Sequence, residues 1–518
     1  MAPESREFGP FGSGVYERPK GSKLRGLLNY LAIFVFAVFL PAALLGWSSF
    51  YENFAEREAP TIKVLNPPFG LGNEPRDIKF EVKDSHSGID EVIVRLAQGS
   101  RMRDVLRKRY DKKQLADELT LSFNGTEFGP IEHPGRGTKP SADRLVEGEA
   151  ELTFIAFDRS FWGNSFRAQL DLRIDFHKPE LKVVSTQHNA VVGGSQLVVY
   201  ELDELQDTFT GVKVGAELYP GFPARAFDAS FKPFPSLFVV LFPVPMGFEV
   251  GKEQIRVFGR DSVGNMGVAA PAYRVQSVGS RDRTLVVASE VLDPKLEELF
   301  RSFLDKQSKI SGSVAPEPLP IQSDSDRLQR FEEVNRRYRE LVETAVRPLF
   351  ARPKSERFWE ERFLRPQGRE TTSFGERIAV VVGGRELGRF IETGTRFALP
   401  TDAPVRAANG GVVIFADDLG VYGKTVILDH GFGLTSHYCY LSAVSRVEGD
   451  RIQRGEVIGR VGETGLAFGP TLGFEMRLHG VPVRSVEWGD PNWVQGQVTG
   501  KLDDVKRVLG VRVMKSLP

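Results

Sequence analysis

The side chains with the widest chemical reach in this 518-residue chain lie in its last third: Glu392, Arg396, His430, His437, Cys439, Tyr440, Glu475 and His479. Carboxylates, imidazoles and thiols are the donors of zinc sites and of general acid–base catalysis. Spacing decides which of them can act together. In an extended strand alternate residues share a face. Tyr438-Cys439-Tyr440 then sends both tyrosines to one side, and His437 and Cys439 to the other. Thr471, Gly473 and Glu475 share a face in the run Thr471-Leu472-Gly473-Phe474-Glu475. A Glu392/Glu475 pair with a nearby histidine is the metal set these residues offer. Arg396, a permanent cation without a lone pair, would stand beside it.

The segments that must position these residues read as short strands between glycine-bearing turns. Pro400–Ala407 leads into Gly410-Gly411-Val412-Val413, and Gly423–Gly431 is followed by Leu434–Ser442. Gly449–Gly459 comes next, and Gly469–Glu475 completes the set. Glycine allows tight turns and close approach of strands, so the pattern predicts a compact antiparallel β-domain over residues 366–496.

With Ser373-Phe374-Gly375 at their head, the order and spacing of these blocks from Thr372 to about Val494 resemble the lysostaphin/LytM-type zinc endopeptidases, which cut peptide cross-links in bacterial peptidoglycan. The resemblance implies a zinc ion held by a His-x-x-x-Asp segment and by the second histidine of a His-x-His strand. It implies two further histidines as general base and oxyanion stabiliser, beside a metal-activated water. At the matching positions this chain has Glu392, Arg396 and Gly473 for the ligands, and Thr471 and Tyr440 for the catalytic histidines, while Tyr438 is kept. Carried over in this way, the resemblance implies a degenerate member with no catalytic residue, no metal ligand set and no zinc cofactor. The candidate binding cleft then comprises Glu392, Arg396, Tyr438, Tyr440, Thr471 and Glu475. Arg396 is expected to pair with Glu392 or Glu475, a guanidinium taking the structural place of the cation. His430 matches a family histidine outside the metal's coordination shell, and a structural role is expected for it.

Upstream, residues 26–51 carry no charge and exceed the ~20 apolar residues a bilayer core requires. Arg18, Lys20, Lys23 and Arg25 precede the run, and Glu52 and Glu56 follow it. Positive-inside logic therefore predicts a cytoplasmic tail at residues 1–25 and, in preference to a cleaved signal peptide, an uncleaved single-pass anchor with the rest of the chain outside the cytoplasm. The resemblance implies that this membrane is the bacterial inner membrane and that space the periplasm. Residues 58–178 and 179–278 look like copies of one another. Pro60-Thr61-Ile62-Lys63-Val64 is echoed by Pro179-Glu180-Leu181-Lys182-Val183, and Asp158 with Gly163-Asn164 by Asp261 with Gly264-Asn265. Their period-two alternation predicts two β-sandwiches, and the Asp…Gly-Asn endings resemble bacterial immunoglobulin-like domains.

A helical period follows at residues 290–350, with Leu328, Phe331, Val334, Tyr338 and Leu341 on one face, Asp324 as N-cap and Pro348 as stop. Residues 497–518 read as a C-terminal extension. The expected fold is thus mainly β: a transmembrane helix, two immunoglobulin-like domains, a helical connector and a LytM-like domain. A single cysteine, Cys439, rules out an intrachain disulfide.

The 68 basic and 68 acidic residues balance, so no overall field draws the chain to nucleic acid. The expected partners are the membrane and either peptidoglycan or a cell-wall hydrolase or division protein. Family relatives without zinc ligands activate cell-wall amidases, so a binding or regulatory role in cell-wall remodelling is the leading expectation. The alternative is an active endopeptidase with a rearranged zinc site. A biotinyl-type carrier or export-pump adaptor is a third reading, weakened because Arg451 and Arg454 stand where a carrier needs a modifiable lysine.

Overall fold

The structure, a computed structural model, describes residues 6–7, 54, 56–123, 145–312, 314 and 317–511. The expected anchor at residues 26–51 lies outside them. Among the described residues no helix is long and apolar enough to cross a membrane. The fold is mainly β. It divides into two compact units, Met1–Pro179 with Gln206–Thr208 and Arg260–Met266, and Glu180–Leu205 with Phe209–Gly259 and Gly267–Pro518.

In the first unit, alternation builds a two-sheet sandwich. Arg76–Lys83 buries Ile78, Phe80 and Val82 and turns Asp77 and Lys79 to solvent. It pairs antiparallel with Thr61–Val64 and Ala116–Phe123. The facing sheet runs in the order Gly70–Leu71, Ser165–Ile174, Gly148–Asp158, Ile89–Gln98, Arg101–Arg109. One apolar core fills the space between the sheets, with Phe80 meeting Phe154 edge to face at 5.0 Å.

In the second unit, Ser195–Leu202 pairs with Leu237–Pro243. Both strands are buried nearly throughout, and their central residues, 197–200 and 237–242, are apolar as a strand covered on two faces requires. Val198, Tyr200, Val240 and Phe242 face a core shared with Val212, Val214, Ile255 and Val257. Leu197, Val199, Val239 and Leu241 face the opposite way, into one core with the C-terminal β-domain. Phe222 and Phe227 meet Phe432 edge to face at 5.1 and 4.8 Å across that seam. The helix Gly500–Val508, within the stretch read from sequence as an extension, buries Leu502 and Val505 in the same core.

The C-terminal sheet is built around β1 (Thr395–Ala398), β2 (Lys424–Gly431), β3 (Leu434–Val444) and β4 (Thr471–Leu478), adjacent in the order β1-β4-β3-β2. One face joins the core just described. Helices α1 (Ser289–Ser311), α2 (Asp324–Glu332) and α3 (Arg339–Val346) cover the other. Leu292, Leu296, Leu299 and Phe303 of α1 recur at helical spacing and are buried there. Ser323, one residue before the expected cap, caps α2 by accepting a bond from the Asp326 amide. Between α2 and α3 the turn Glu333–Tyr338 has the wider π pitch. It rotates the buried stripe, which continues from Tyr338 through Val342 and Val346, leaving Leu341 only partly buried. Tyr338 lies so close to Gly420 (φ +60°) that a Cβ there would come within 2.6 Å of its ring, so glycine is required.

Candidate functional site

Arg396 on β1 and Glu392 just before it form a buried ion pair, Nε to Oε2 at 2.7 Å. Thr372 Oγ1 donates to the same Glu392 oxygen at 3.1 Å, and a guanidinium Nη1 reaches the Leu466 carbonyl at 3.5 Å. The Arg396 carbon Cζ sits 4.9 Å from the Tyr440 ring centre and 5.5 Å from that of Phe390. Burial alone would lower the pKa of this guanidinium, but the Glu392 carboxylate and the Tyr440 phenolic oxygen reverse the shift and raise it.

Glu475 does not share in that pair. Its Oε1 accepts from Thr393 Oγ1 at 2.7 Å, and its Oε2 pairs with Arg477 at 2.7 Å. Arg477 in turn reaches Glu343 of α3 at 2.6 Å, and Tyr422 Oη donates to the same carboxylate. Burial opposes ionisation of Glu343, yet Arg477 and Tyr422 hold it at about 2. The result is a charged layer between sheet and helices, in which Arg477 is 3% exposed, Glu475 4%, Glu392 6% and Arg396 7%. The open cleft expected from the sequence is therefore roofed.

The face assignment within β3 needs correction. Tyr440 has a left-handed backbone (φ +68°), and the pairing of β3 slips around it. This irregularity resets the alternation. Cys439 and Tyr440 consequently lie in one cluster with the helices, while Tyr438 turns into the opposite core and accepts a bond from the Ala408 amide at 2.7 Å. His437 also faces the helices, stacked on Phe350 with ring centres 5.8 Å apart. Burial first, and Arg477 second, push its pKa well below the ordinary imidazole value. Thr471 stands partly exposed at the start of β4. His430, buried, bonds the Gly410 carbonyl and Ser436 Oγ, which is a structural placement.

Sequence reasoning passed over Arg477 and Glu343. Arg477 was within reach, since it shares the parity of Gly473 and Glu475. Glu343, 134 residues away, carries no local signal.

Residues 391–485 match the model of Peptidase family M23, and the chain carries a domain of that family. The chain is 44% identical over 96 residues to DD-carboxypeptidase/endopeptidase Mpg of Neisseria meningitidis serogroup B, covering 18% of this chain and 22% of that protein. It is 34% identical over 98 residues to Peptidoglycan DD-endopeptidase ShyA of Vibrio cholerae, covering 19% and 23%. Against Murein hydrolase activator EnvC of Escherichia coli it is 37% identical over 84 residues, covering 16% and 20%. The match thus spans about a fifth of the length of these relatives.

The zinc ion implied by the family does not fit the residues present. The one carboxylate at a matching ligand position, Glu392, is committed to Arg396. Gly473 offers no donor, and the Tyr440 ring fills the space a side chain there would use, since a Cβ on residue 473 would lie 2.7 Å from Tyr440 Cε2. Every carboxylate of the layer is already paired with a guanidinium, Glu392 with Arg396 and both Glu475 and Glu343 with Arg477, so a divalent cation would have to displace a buried ion pair. Gly473→Ala is expected to cost about 1–3 kcal/mol through overpacking. The cost should shrink in a Tyr440→Ala background, as measured by urea unfolding of all four chains in the cycle.

Proposed function

We propose that the protein is a membrane-anchored, extracytoplasmic factor of the bacterial cell envelope whose M23 domain acts by binding rather than by hydrolysis, in cell-wall remodelling or division. The observation that carries this reading is the Arg396–Glu392 ion pair standing at the positions the resemblance assigns to zinc ligands, beneath the α3 roof. Likeness to a murein hydrolase activator supports a regulatory role. The uncharged run at residues 26–51 supports the anchor, and the repeated sandwich pattern supports immunoglobulin-like spacer modules. A cavity of about 800 Å³ bordered by Arg281, Arg365, Phe374, Arg377 and Arg484 supports a binding role.

The test combines metal analysis of the purified chain with incubation on isolated peptidoglycan, alone and with an added murein hydrolase. The expected result is no stoichiometric zinc and no released peptide from the chain alone, with sedimentation on peptidoglycan or a changed rate of the added hydrolase. Stoichiometric zinc with peptide release would establish the endopeptidase alternative instead. Neither binding nor a rate change would sink the regulatory reading.

A further inference from the structure

We propose that the first unit binds a calcium ion through Glu56, Asp84 and Asp158. One carboxylate oxygen from each of the three lies within 4.8 Å of the others. Oxygens gathered this closely can share one ion at Ca–O distances of roughly 2.4 Å. Magnesium usually keeps several waters and binds through one or two carboxylates, so a buried set of three carboxylates suits calcium better. The three side chains are buried, Glu56 and Asp84 at 7% exposure and Asp158 at 2%. Among the described residues, two of the buried oxygens, Glu56 Oε1 and Asp84 Oδ2, have no hydrogen-bond partner, and neither has the neighbouring Ser87 hydroxyl. Buried carboxylate oxygens left without donors are costly unless a cation meets them.

The rest of each carboxylate is held in place. Glu56 Oε2 accepts from the Ser87 amide at 2.8 Å, and Asp84 Oδ1 accepts from the amides of His86 and Gly88 at 3.1 and 2.6 Å. Asp158 accepts from Ser160 through Oδ1, at 3.2 Å from the amide and 2.8 Å from the hydroxyl, and from Asn164 Nδ2 at 2.9 Å through Oδ2. The ion pair these carboxylates make among the described residues is Glu56 Oε1 to His86 Nδ1 at 3.5 Å, and His86 is charged only when protonated. Three acidic groups therefore converge with little to neutralise them. Burial, with Asp84 nearby, already raises the pKa of Asp158.

The sequence repeats the arrangement. Asp175 stands four residues before Pro179 as Glu56 stands four before Pro60, and Asp261 precedes Gly264-Asn265 as Asp158 precedes Gly163-Asn164. The four-residue step before the proline is kept in both copies, while the aspartate stands five residues before Gly-Asn in the first and three in the second.

The experiment strips the purified full chain with a chelator, then titrates it with calcium chloride in a calorimeter and melts it with calcium or with EDTA. Wild type is expected to bind calcium in a step that Asp84→Asn removes, and calcium is expected to raise its melting temperature by several degrees while leaving the variant's transition unmoved. Asparagine keeps an oxygen for the His86 and Gly88 amides and deletes one of three repelling charges. In EDTA the variant should therefore melt at or above wild type, and Asp158→Asn provides a second, independent loss of binding. Equal calcium uptake by wild type and both variants would overturn the site. So would a variant that melts below wild type in EDTA, which would make the Asp84 charge purely structural. An equal response to magnesium chloride at the same concentration would overturn the choice of calcium.

Discussion

Arg396→Met is expected to destabilise the second unit by about 3–5 kcal/mol, because it leaves the Glu392 carboxylate buried and unpaired. Removing both charges together is a different experiment. In Arg396→Met/Glu392→Met the desolvation penalty disappears with the pair, and stability should return to within about 1 kcal/mol of wild type or exceed it. Urea unfolding of the four chains gives the coupling energy directly. A double variant as unstable as the single would mean that Arg396 contributes through its packing on Tyr440 and Phe390 and not through its charge. The comparison matters for function, since a pair that is dispensable for stability would be free to open towards a ligand.

The second large effect lies one layer over. Arg477→Met would strand two carboxylates, Glu475 on β4 and Glu343 on α3, and is expected to cost a similar 3–5 kcal/mol. Its distinguishing sign is local. Cys439, the single cysteine in the chain, lies beneath the helices at 2% exposure, and burial raises its pKa. In wild type a thiol reagent should reach it only on unfolding, whereas loosening α3 should speed its reaction at least tenfold. Unchanged reactivity in a folded Arg477→Met chain would mean that α3 is held by its apolar stripe alone.

The acid response follows from the same contacts. Glu343 sits at about 2 in the folded chain, below the ordinary glutamate value, so its pairing stabilises fully above that ordinary value and is lost as pH falls towards 2. Glu343→Gln should remove that part of the acid sensitivity, which unfolding measured across this window would show.

Much of this organisation was legible in the residues. Alternation in Arg76–Lys83 and Ser165–Ile174 marks the sandwich strands, because a half-buried strand has no other way to sort its side chains. Glycine spacing and the Gly-Pro-Thr-Leu-Gly run carried the family resemblance, which in turn brought Glu392 and Arg396 to notice. The failures have local causes. A single left-handed residue, Tyr440, breaks strand parity, and nothing in Tyr-Cys-Tyr announces it. A π turn rotates the helical stripe by a fraction of a turn, which a period count does not detect. The roof itself depends on Glu343 meeting Arg477, a contact between distant segments that no short window contains.

The seam between the second sandwich and the M23 domain bears on how such a chain can change over generations. Phe222, Phe227, Val239 and Leu241 fill one core with Trp359, Phe432 and Trp488. A gene fragment encoding either half alone would present that apolar surface to water, where it would favour aggregation. Either half alone is therefore expected to be prone to aggregation, and a change of volume on one side of the seam to be best tolerated with a compensating change on the other. Shuffling the enzyme-like domain into a new chain would require the strands that complete its core to travel with it.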